Sequence, residues 1–201
     1  MITIGPEEFK KMPASLSFGD AVAPVVPFST ETLAAHAETH ILIFTPRTFS
    51  DNTPVTVNAL RERLGVDPAA SEPCMYNQDW YLKEEFAAAE TADGGWHLIR
   101  RGVLEDTRAK RPDEIEAALG TEESFPTAVT CAFAFFAYWF ATDGGRLWNH
   151  DFVWCRDRDH NGDRIYVGRY EDPSGLNKNG FNIHRHLALR PSYGAAPEVV
   201  G

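Results

Sequence analysis

The chain has 201 residues, and its 19 Lys and Arg against 29 Asp and Glu give a formal net charge of −10. Hydrophobic residues make up 43 %, a share typical of a folded domain and too high for a disordered chain. The acidic balance argues against nucleic acid as a partner, because binding to phosphates needs a basic face. The length fits one domain, or one domain with an appended arm.

The spacing of the cysteines and the length of the apolar stretches indicate in which cellular compartment the protein lies. Cys74, Cys131 and Cys155 lie far apart and form no C-x-x-C pair, which favours a reducing environment and leaves a single disulfide open. The first residues have no basic segment before an apolar core, unlike a signal peptide. The longest apolar stretch has 14 residues, against roughly 18 for a membrane span. We therefore expect a cytoplasmic protein that makes no membrane contact.

Residues 1–30 are predicted to form a Pro-rich N-terminal arm. Four prolines interrupt any long helix or central strand. The segment still carries large apolar side chains, namely Phe9, Leu16, Phe18, Val22, Val25, Val26 and Phe28. Such a segment is expected to pack on its own chain or on a copy, so a homo-oligomer through residues 1–30 is one prediction. Residues 31–201 would then form the folded domain.

The middle of the chain alternates predicted strands and helices. Apolar runs predict strands at residues 40–44 and 96–100. Helical spacing and composition predict three helices, at residues 55–64, 80–89 and 113–119. Gly65 is a plausible end for the first helix and Asp79 a natural N-cap for the second.

One helix should form the centre of the core. Residues 128–141 alternate alanine with Phe, Tyr and Trp, and Thr130 is the one polar residue among them. A helix that is apolar all round must be covered on all sides. The alanines should mark the places where other elements approach closely.

From Arg146 onward the pattern changes to short β runs and turns. The predicted elements are strands at residues 152–155 and 164–168 around a turn at 157–163, a loop at 171–182 and a last strand at 183–189. The chain is therefore predicted to be a single α+β domain with a buried Ala/aromatic helix and an antiparallel, β-rich C-terminal segment, residues 146–201.

The excess of acid lies entirely before this C-terminal segment. Residues 1–150 carry 12 basic and 22 acidic residues, whereas residues 151–201 carry seven of each. Polar loops on a rigid scaffold are a common place for recognition. The candidate ligand-binding residues are Asp157, Asp159, His160, Arg169, Asn177, Asn179, His184 and His186.

The turn at residues 157–163 allows a metal ion. Asp157, Asp159, Asn161 and Gly162 match the first half of an EF-hand loop, but Gly168 stands where the bidentate Glu belongs. Turn chemistry alone explains these residues, and we favour that interpretation. No cofactor is therefore expected, with calcium or another divalent ion at this turn as the alternative.

His184 and His186 stand two residues apart in a predicted strand, so both side chains would project from one face and could share a metal with His160 or with an acid of the turn. This pattern allows a metal-dependent hydrolase. Ile165–Arg169 also resembles one half of the signature of GIY-YIG nucleases, but the other tripeptide and the Glu on a later helix are missing.

Two stretches, Gly95–Arg101 and Leu147–Asp159, resemble parts of a family of uncharacterised proteins from uncultivated bacteria. Residues 157–199 are similar in layout to the ligand-binding ends of C-type-lectin-fold variable proteins diversified by retroelements. The second resemblance implies a C-type-lectin-like fold in which the C-terminal loops bind a ligand. Neither resemblance supplies a catalytic residue.

The leading hypothesis is a non-catalytic module that binds a protein or a small molecule at its polar C-terminal face, because no complete catalytic motif accompanies that face. The first alternative is the metal-dependent hydrolase or nuclease that uses His184, His186 and acids of the turn. The second is a structural component of a phage or particle, whose arm packs on neighbouring copies.

Overall fold

The computed structural model of the protein describes residues 1–67, 69, 72–170, 180–186 and 189–201. Its helices are α1 (Pro6–Phe9), α2 (Thr30–His36), α3 (Val57–Leu64), α4 (Glu85–Ala88), α5 (Pro112–Ala118) and α6 (Ala128–Ala141). Its strands are β1 (Ile2–Ile4), β2 (His40–Phe44), β3 (Trp96–Arg100), β4 (Glu123–Ser124), β5 (Phe152–Arg158), β6 (Arg164–Tyr170), β7 (Gly180–His184), β8 (Tyr193–Gly194) and β9 (Glu198–Val199).

The strands form two sheets, which together with the helices confirm the predicted single α+β domain. The first sheet has the order β1-β2-β3-β9-β4, with β1 parallel to β2 and the other pairs antiparallel. The second has the order β7-β6-β5-β8, with only β8 parallel to its neighbour. Because β9 lies between β3 and β4, the end of the chain returns to the first sheet.

The first part of the predicted arm belongs to the domain. Strand β1 pairs with β2 through Ile2 and Ile41, and the side chains of Phe9, Leu16 and Phe18 are buried in the main core. Val22 and Val25, further along, are exposed to 88 % and 92 %. Residues 1–18 are therefore a structural part of the fold, while Val22 and Val25 present apolar side chains to solvent.

Helix α6 is the central element, as its composition predicts. Its first ten residues, Ala128–Ala137, are all buried, and the last four, Tyr138–Ala141, are partly buried. The helix packs against α1, α3 and α4 and against strands of both sheets. Thr127 caps it, since the Thr130 N–H donates to the Thr127 hydroxyl at 3.1 Å.

The second sheet separates two apolar layers. Alternate side chains, including Val153, Cys155, Ile165, Val167, Phe181 and Ile183, face the main core around α6. The opposite face carries a second cluster made of Phe152, Trp154, Tyr166 and Tyr193, which Ile115 of α5 and Phe125 help to cover. The outer aromatic layer and α5 set the position of the candidate site.

Several boundaries differ from the sequence-based predictions. Helix α4 covers only four residues, its N-cap position is Glu84, and Asp79 accepts a turn hydrogen bond from the Leu82 N–H. The predicted last strand lies earlier in the chain, as β7, and ends at His184. Among the described residues, none of the helices combines the length and the apolarity needed to cross a membrane.

Candidate functional site

The hairpin turn between β5 and β6 is organised by Asp159. Its Oδ1 accepts hydrogen bonds from the backbone N–H groups of Asn161 and Asp163, both at 2.9 Å. Gly162 adopts a φ of 85°, which a residue with a side chain rarely reaches. Asp159 thus stabilises a tight turn by accepting hydrogen bonds from backbone N–H groups of that turn, as Asp commonly does in turns.

Asp157 contacts a different part of the molecule. The β5–β6 register shifts between Trp154 and Arg158, and this bulge lets Asp157 reach the start of α6. There its Oδ2 accepts a 2.6 Å hydrogen bond from the Ala128 N–H, in a buried setting. A carboxylate at this end also complements the helix dipole. The residue therefore completes the N-terminal cap of the central helix.

Glu90 lies beside Asp157. Burial of the Glu90 carboxyl, a hydrogen bond to Asp157 and the nearby charge of that residue raise the pKa of Glu90 to about 8. The Glu90 carboxyl is therefore largely protonated at neutral pH.

Replacing Asp157 by alanine should lower the free energy of unfolding by about 2 kcal/mol, because the buried Ala128 N–H would lose its acceptor. Asp157→Asn is the matched variant, since its amide oxygen can still accept that bond. Urea unfolding at pH 7 should show a clearly smaller loss for Asn than for Ala. Equal losses in the two variants would show that the hydrogen bond is not what stabilises the helix start.

A second group of titratable side chains joins the turn to α4. Ligand atoms of Glu84, Asp159 and His160 all lie within 4.8 Å of one another. His160 Nδ1 is 2.6 Å from Glu84 Oε1, and the His160 backbone N–H donates to Glu84 Oε2 at 3.0 Å. We call these three residues the Glu84 cluster. Their carboxylate and imidazole donors are chemically able to hold a divalent ion.

Arg185 already supplies positive charge to the Glu84 cluster. Its Nη1 lies 3.2 Å from Asp159 Oδ2 and 3.8 Å from Glu84 Oε1, and its guanidinium lies over the Trp80 ring at 4.7 Å. Burial alone would raise the pKa of Asp159, but hydrogen bonds from the backbone of Asp163 and Asn161 and from Arg185 hold it below its usual value. A metal ion would have to compete with this guanidinium.

The two histidines of the H-x-H motif lie apart from this cluster. The His184 ring stacks on Tyr166 at 5.3 Å and lies 5.5 Å from Phe152, within the outer aromatic layer. Burial, reinforced by the nearby charges of His186 and Arg190, lowers the pKa of His184. His186 is exposed and follows the end of β7. Within the described ranges, neither histidine joins a group of three potential metal ligands.

The remaining candidates are Arg169, Asn177 and Asn179. Arg169 is 3 % exposed and forms a partly buried ion pair with Glu72, its Nε donating to Glu72 Oε1 at 3.0 Å. It therefore joins β6 to the segment before Cys74. Asn177 and Asn179 lie outside the residues that the structure describes.

A small cavity opens where α5 meets the end of the hairpin. It has a volume of about 190 Å³, and four arginines line it, namely Arg111, Arg158, Arg164 and Arg185. Trp154 lines it as well. We call this cavity the arginine pocket. The sequence indicated Asp159 nearby but gave no sign of the pocket, because its walls come from three segments that are about 20 to 75 residues apart.

Two of the side chains that line the arginine pocket each have a buried donor without an acceptor among the described residues. The Trp154 Nε1–H and the Arg164 Nε–H make no hydrogen bond to any described residue, although Trp154 is 1 % exposed and Arg164 is 7 % exposed. Buried polar groups are nearly always paired, so such atoms indicate a place where a ligand or water completes the bonding. A larger groove, about 750 Å³, lies between α2 and strands β4 and β9, but no unpartnered buried atom found among the described residues belongs to its lining.

A polar group that sequence reasoning missed lies in the first sheet. His97 Nε2 is 3.0 Å from Asp93 Oδ1, and His97 Nδ1 is 2.7 Å from Glu198 Oε2. Thr45 Oγ1 is 3.1 Å from His97 Nε2, so the Thr45 hydroxyl, the His97 imidazole and the Glu198 carboxylate form a continuous chain of hydrogen-bonding groups. Thr45 is fully buried, however, and its hydroxyl also donates to Asp93 at 3.0 Å. We interpret this group as structural, because no substrate could reach the hydroxyl.

Comparisons with protein-family models, with curated proteins and with solved structures give no match for this chain. The suggested C-type-lectin-like fold and the resemblance to retroelement-diversified proteins therefore stay predictions.

Proposed function

We propose that the protein is a non-catalytic binding module whose ligand occupies the outer end of the C-terminal sheet, where the hairpin turn, α5 and Arg185 meet. The observation that supports this most is the arginine pocket, with its two buried donors left without an acceptor. Residues 1–18 and α6 belong to the main core, on the opposite face of the second sheet from Trp154.

The side chains around the pocket are held in place before any ligand arrives. Arg158 Nη2 donates to Asp113 Oδ1 at 3.0 Å, and Arg158 Nη1 donates to the Gly162 carbonyl at 2.9 Å. Arg164 forms an ion pair with Glu116 and stacks its guanidinium over the Phe125 ring at 5.3 Å. Preorganised groups lose little conformational entropy on binding, which favours affinity.

The pocket lies beside part of the face that the sequence indicated. Arg185 lines it and also contacts Asp159 of the turn. Asp157 and Arg169, in contrast, have structural partners elsewhere. The proposed binding face therefore keeps the neighbourhood of Asp159 and His160, and it adds arginines from α5 and both hairpin strands.

The indole N–H signals of the tryptophans provide a direct test. The ¹⁵N-labelled full chain would be titrated with separate sets of neutral sugars, amino acids, nucleosides, carboxylic acids, inorganic anions and calcium or zinc salts. We expect at least one set to shift the Trp154 indole signal and to leave that of Trp139, on α6, unchanged. Trp154→Phe and Trp139→Phe assign the two signals.

Arg158→Glu and Arg156→Glu form a matched pair for the same titration. Both arginines are exposed and lie on β5, but only Arg158 lines the pocket. The Arg158 variant should lose the Trp154 response, whereas the Arg156 variant should keep it. If no set moves the Trp154 signal, or if Trp139 responds equally, the proposal is wrong. A response to calcium or zinc alone, lost in Glu84→Gln, would support the metal-dependent alternative instead.

A further inference from the structure

The arginine pocket is chemically selective. Its lining offers hydrogen-bond donors from four guanidinium groups and one indole, and its acidic side chains are Asp113 and Asp163. Asp113 is already engaged, since it accepts hydrogen bonds from Arg158 and Arg164. Donors thus outnumber the acceptors in a protein whose overall charge is −10.

The two unpartnered donors specify what is missing. An indole Nε1–H and a guanidinium Nε–H can only donate, so the group that completes them must accept. Leaving a buried donor unmet costs about 1–3 kcal/mol, so an acceptor that reaches both of these donors would be stabilised. A single neutral oxygen accepts at most two hydrogen bonds, whereas an oxyanion offers several acceptor oxygens at once and carries the charge that guanidinium groups attract.

The volume limits the size of the occupant. Sites for drug-sized molecules usually measure about 300–1,000 Å³. At about 190 Å³ the pocket suits a compact ion, or the charged end of a larger molecule, better than a whole cofactor.

We propose that the arginine pocket binds a tetrahedral oxyanion of the phosphate or sulfate type, free or as the terminal group of a small molecule, with Trp154 and Arg164 as its buried donors and Arg158 as an exposed partner. The inference rests on the proposed binding function and names its ligand class. Arginine suits this role because its planar donors match phosphate geometry.

The balance of charge agrees with such a ligand. Arg164 is 5 % exposed at its side chain and is shared between Glu116 and Asp113, which are themselves half exposed or more. Both ion pairs use Arg164 Nη2, so an oxyanion that accepts from the Nε–H would not have to break either of them. Arg111, at the N-cap position of α5, makes no side-chain hydrogen bond to that helix and adds a further cation to the wall.

The test is a calorimetric titration of the full chain with sodium phosphate, sodium sulfate, methyl phosphate and sodium chloride at one ionic strength. Phosphate or sulfate should bind, and chloride should not compete at equal concentration. Comparison of phosphate with methyl phosphate distinguishes the free ion from the terminal group of a larger molecule, because only a pocket open to solvent on one side accepts the ester.

Three variants locate the binding. Trp154→Phe removes one N–H while keeping an aromatic ring, and Arg158→Gln removes an exposed charge, so each should weaken binding about tenfold to a hundredfold. Arg156→Gln, on the same strand but outside the pocket, should leave the affinity unchanged. Circular dichroism and urea unfolding of each variant check that the fold is intact.

The outcomes separate this inference from the proposed function. If a sugar or amino acid shifts the Trp154 signal while phosphate and sulfate do not bind, the face binds a ligand but the ligand class is wrong. If phosphate binds equally well to Trp154→Phe, Arg158→Gln and Arg156→Gln, the ion lies elsewhere and the inference fails. If no probe of any class shifts the Trp154 indole signal, water is the partner of the two donors and both proposals are wrong.

Discussion

Replacing Phe135 by alanine will lower the free energy of unfolding by about 4 kcal/mol, one of the largest effects expected from a single substitution in this chain. Phe135 is 1 % exposed in the middle of α6. Its ring lies 5.0 Å from that of Phe181 on β7 and 5.3 Å from that of Phe136. Truncation removes the buried ring and leaves a cavity, because helix and strand are held apart by their other contacts.

Phe140→Ala is the matched control for this prediction. It makes the same substitution on the same helix, at a residue that is only partly buried. Urea unfolding followed by circular dichroism should show a loss well below that of Phe135→Ala, with the same dependence on urea concentration. Equal losses would mean that α6 does not have the buried and less buried segments described above.

The parts of the fold that sequence predicted correctly depend on local patterns. The helix near residues 126–141 was predicted close to its observed bounds, Ala128–Ala141, because an apolar run that is too short for a membrane must be buried. The strands at 40–44 and 96–100 and the hairpin around the turn also follow local alternation and turn residues.

The predicted helix at residues 80–89 shows where local patterns fail. Its composition favours a helix, yet only Glu85–Ala88 is helical. The Trp80 Nε1–H instead donates to the Ile183 carbonyl at 3.2 Å, and Tyr81 is buried at 1 % exposure. These contacts with distant residues fix Trp80 and Tyr81 in a turn, so tertiary packing overrides helix propensity.

The sequence predicted only part of the candidate site, for a related reason. Simple alternation places Asp157 and Asp159 on one face, but the bulge in β5 directs Asp157 to the start of α6. Glu84, which lies near Asp159, comes from about 75 residues before it, and Arg185, which pairs with it, comes from 26 residues after it. No sequence spacing reports such pairs, so the Glu84 cluster and the arginine pocket emerge only from the folded chain.

The buried imidazole of His97 should make stability fall as the pH rises above neutrality. Burial alone would lower the pKa of His97, but hydrogen bonds to Asp93 and Glu198 and the charges of these carboxylates raise it to about 9. The hydrogen bond to His97 in turn holds the pKa of Asp93 well below its usual range. The folded state therefore keeps a proton on His97 that the unfolded chain releases near pH 6.5.

The stabilisation from His97 is complete below pH 6.5, where both states are protonated, and it is lost as the pH rises through about 9. Its size is about 3 kcal/mol, since each unit of pKa difference corresponds to about 1.4 kcal/mol. Glu90 adds to the decline, because its folded pKa of about 8 exceeds its ordinary value and its contribution is lost between pH 4.5 and 8.

The pair His97→Gln and Glu90→Gln separates the two contributions, with urea unfolding measured from pH 6 to 9.5. His97→Gln should be least stable relative to the natural chain at pH 6 and should approach it above pH 9. Glu90→Gln should still lose stability between pH 8 and 9.5, because of these two residues only His97 releases its proton mainly in that range. A constant difference between His97→Gln and the natural chain across this range would mean that His97 is neutral in the fold. In that case the two carboxylates do not hold a charged imidazole, and β3 and β9 are joined by backbone pairing and packing alone.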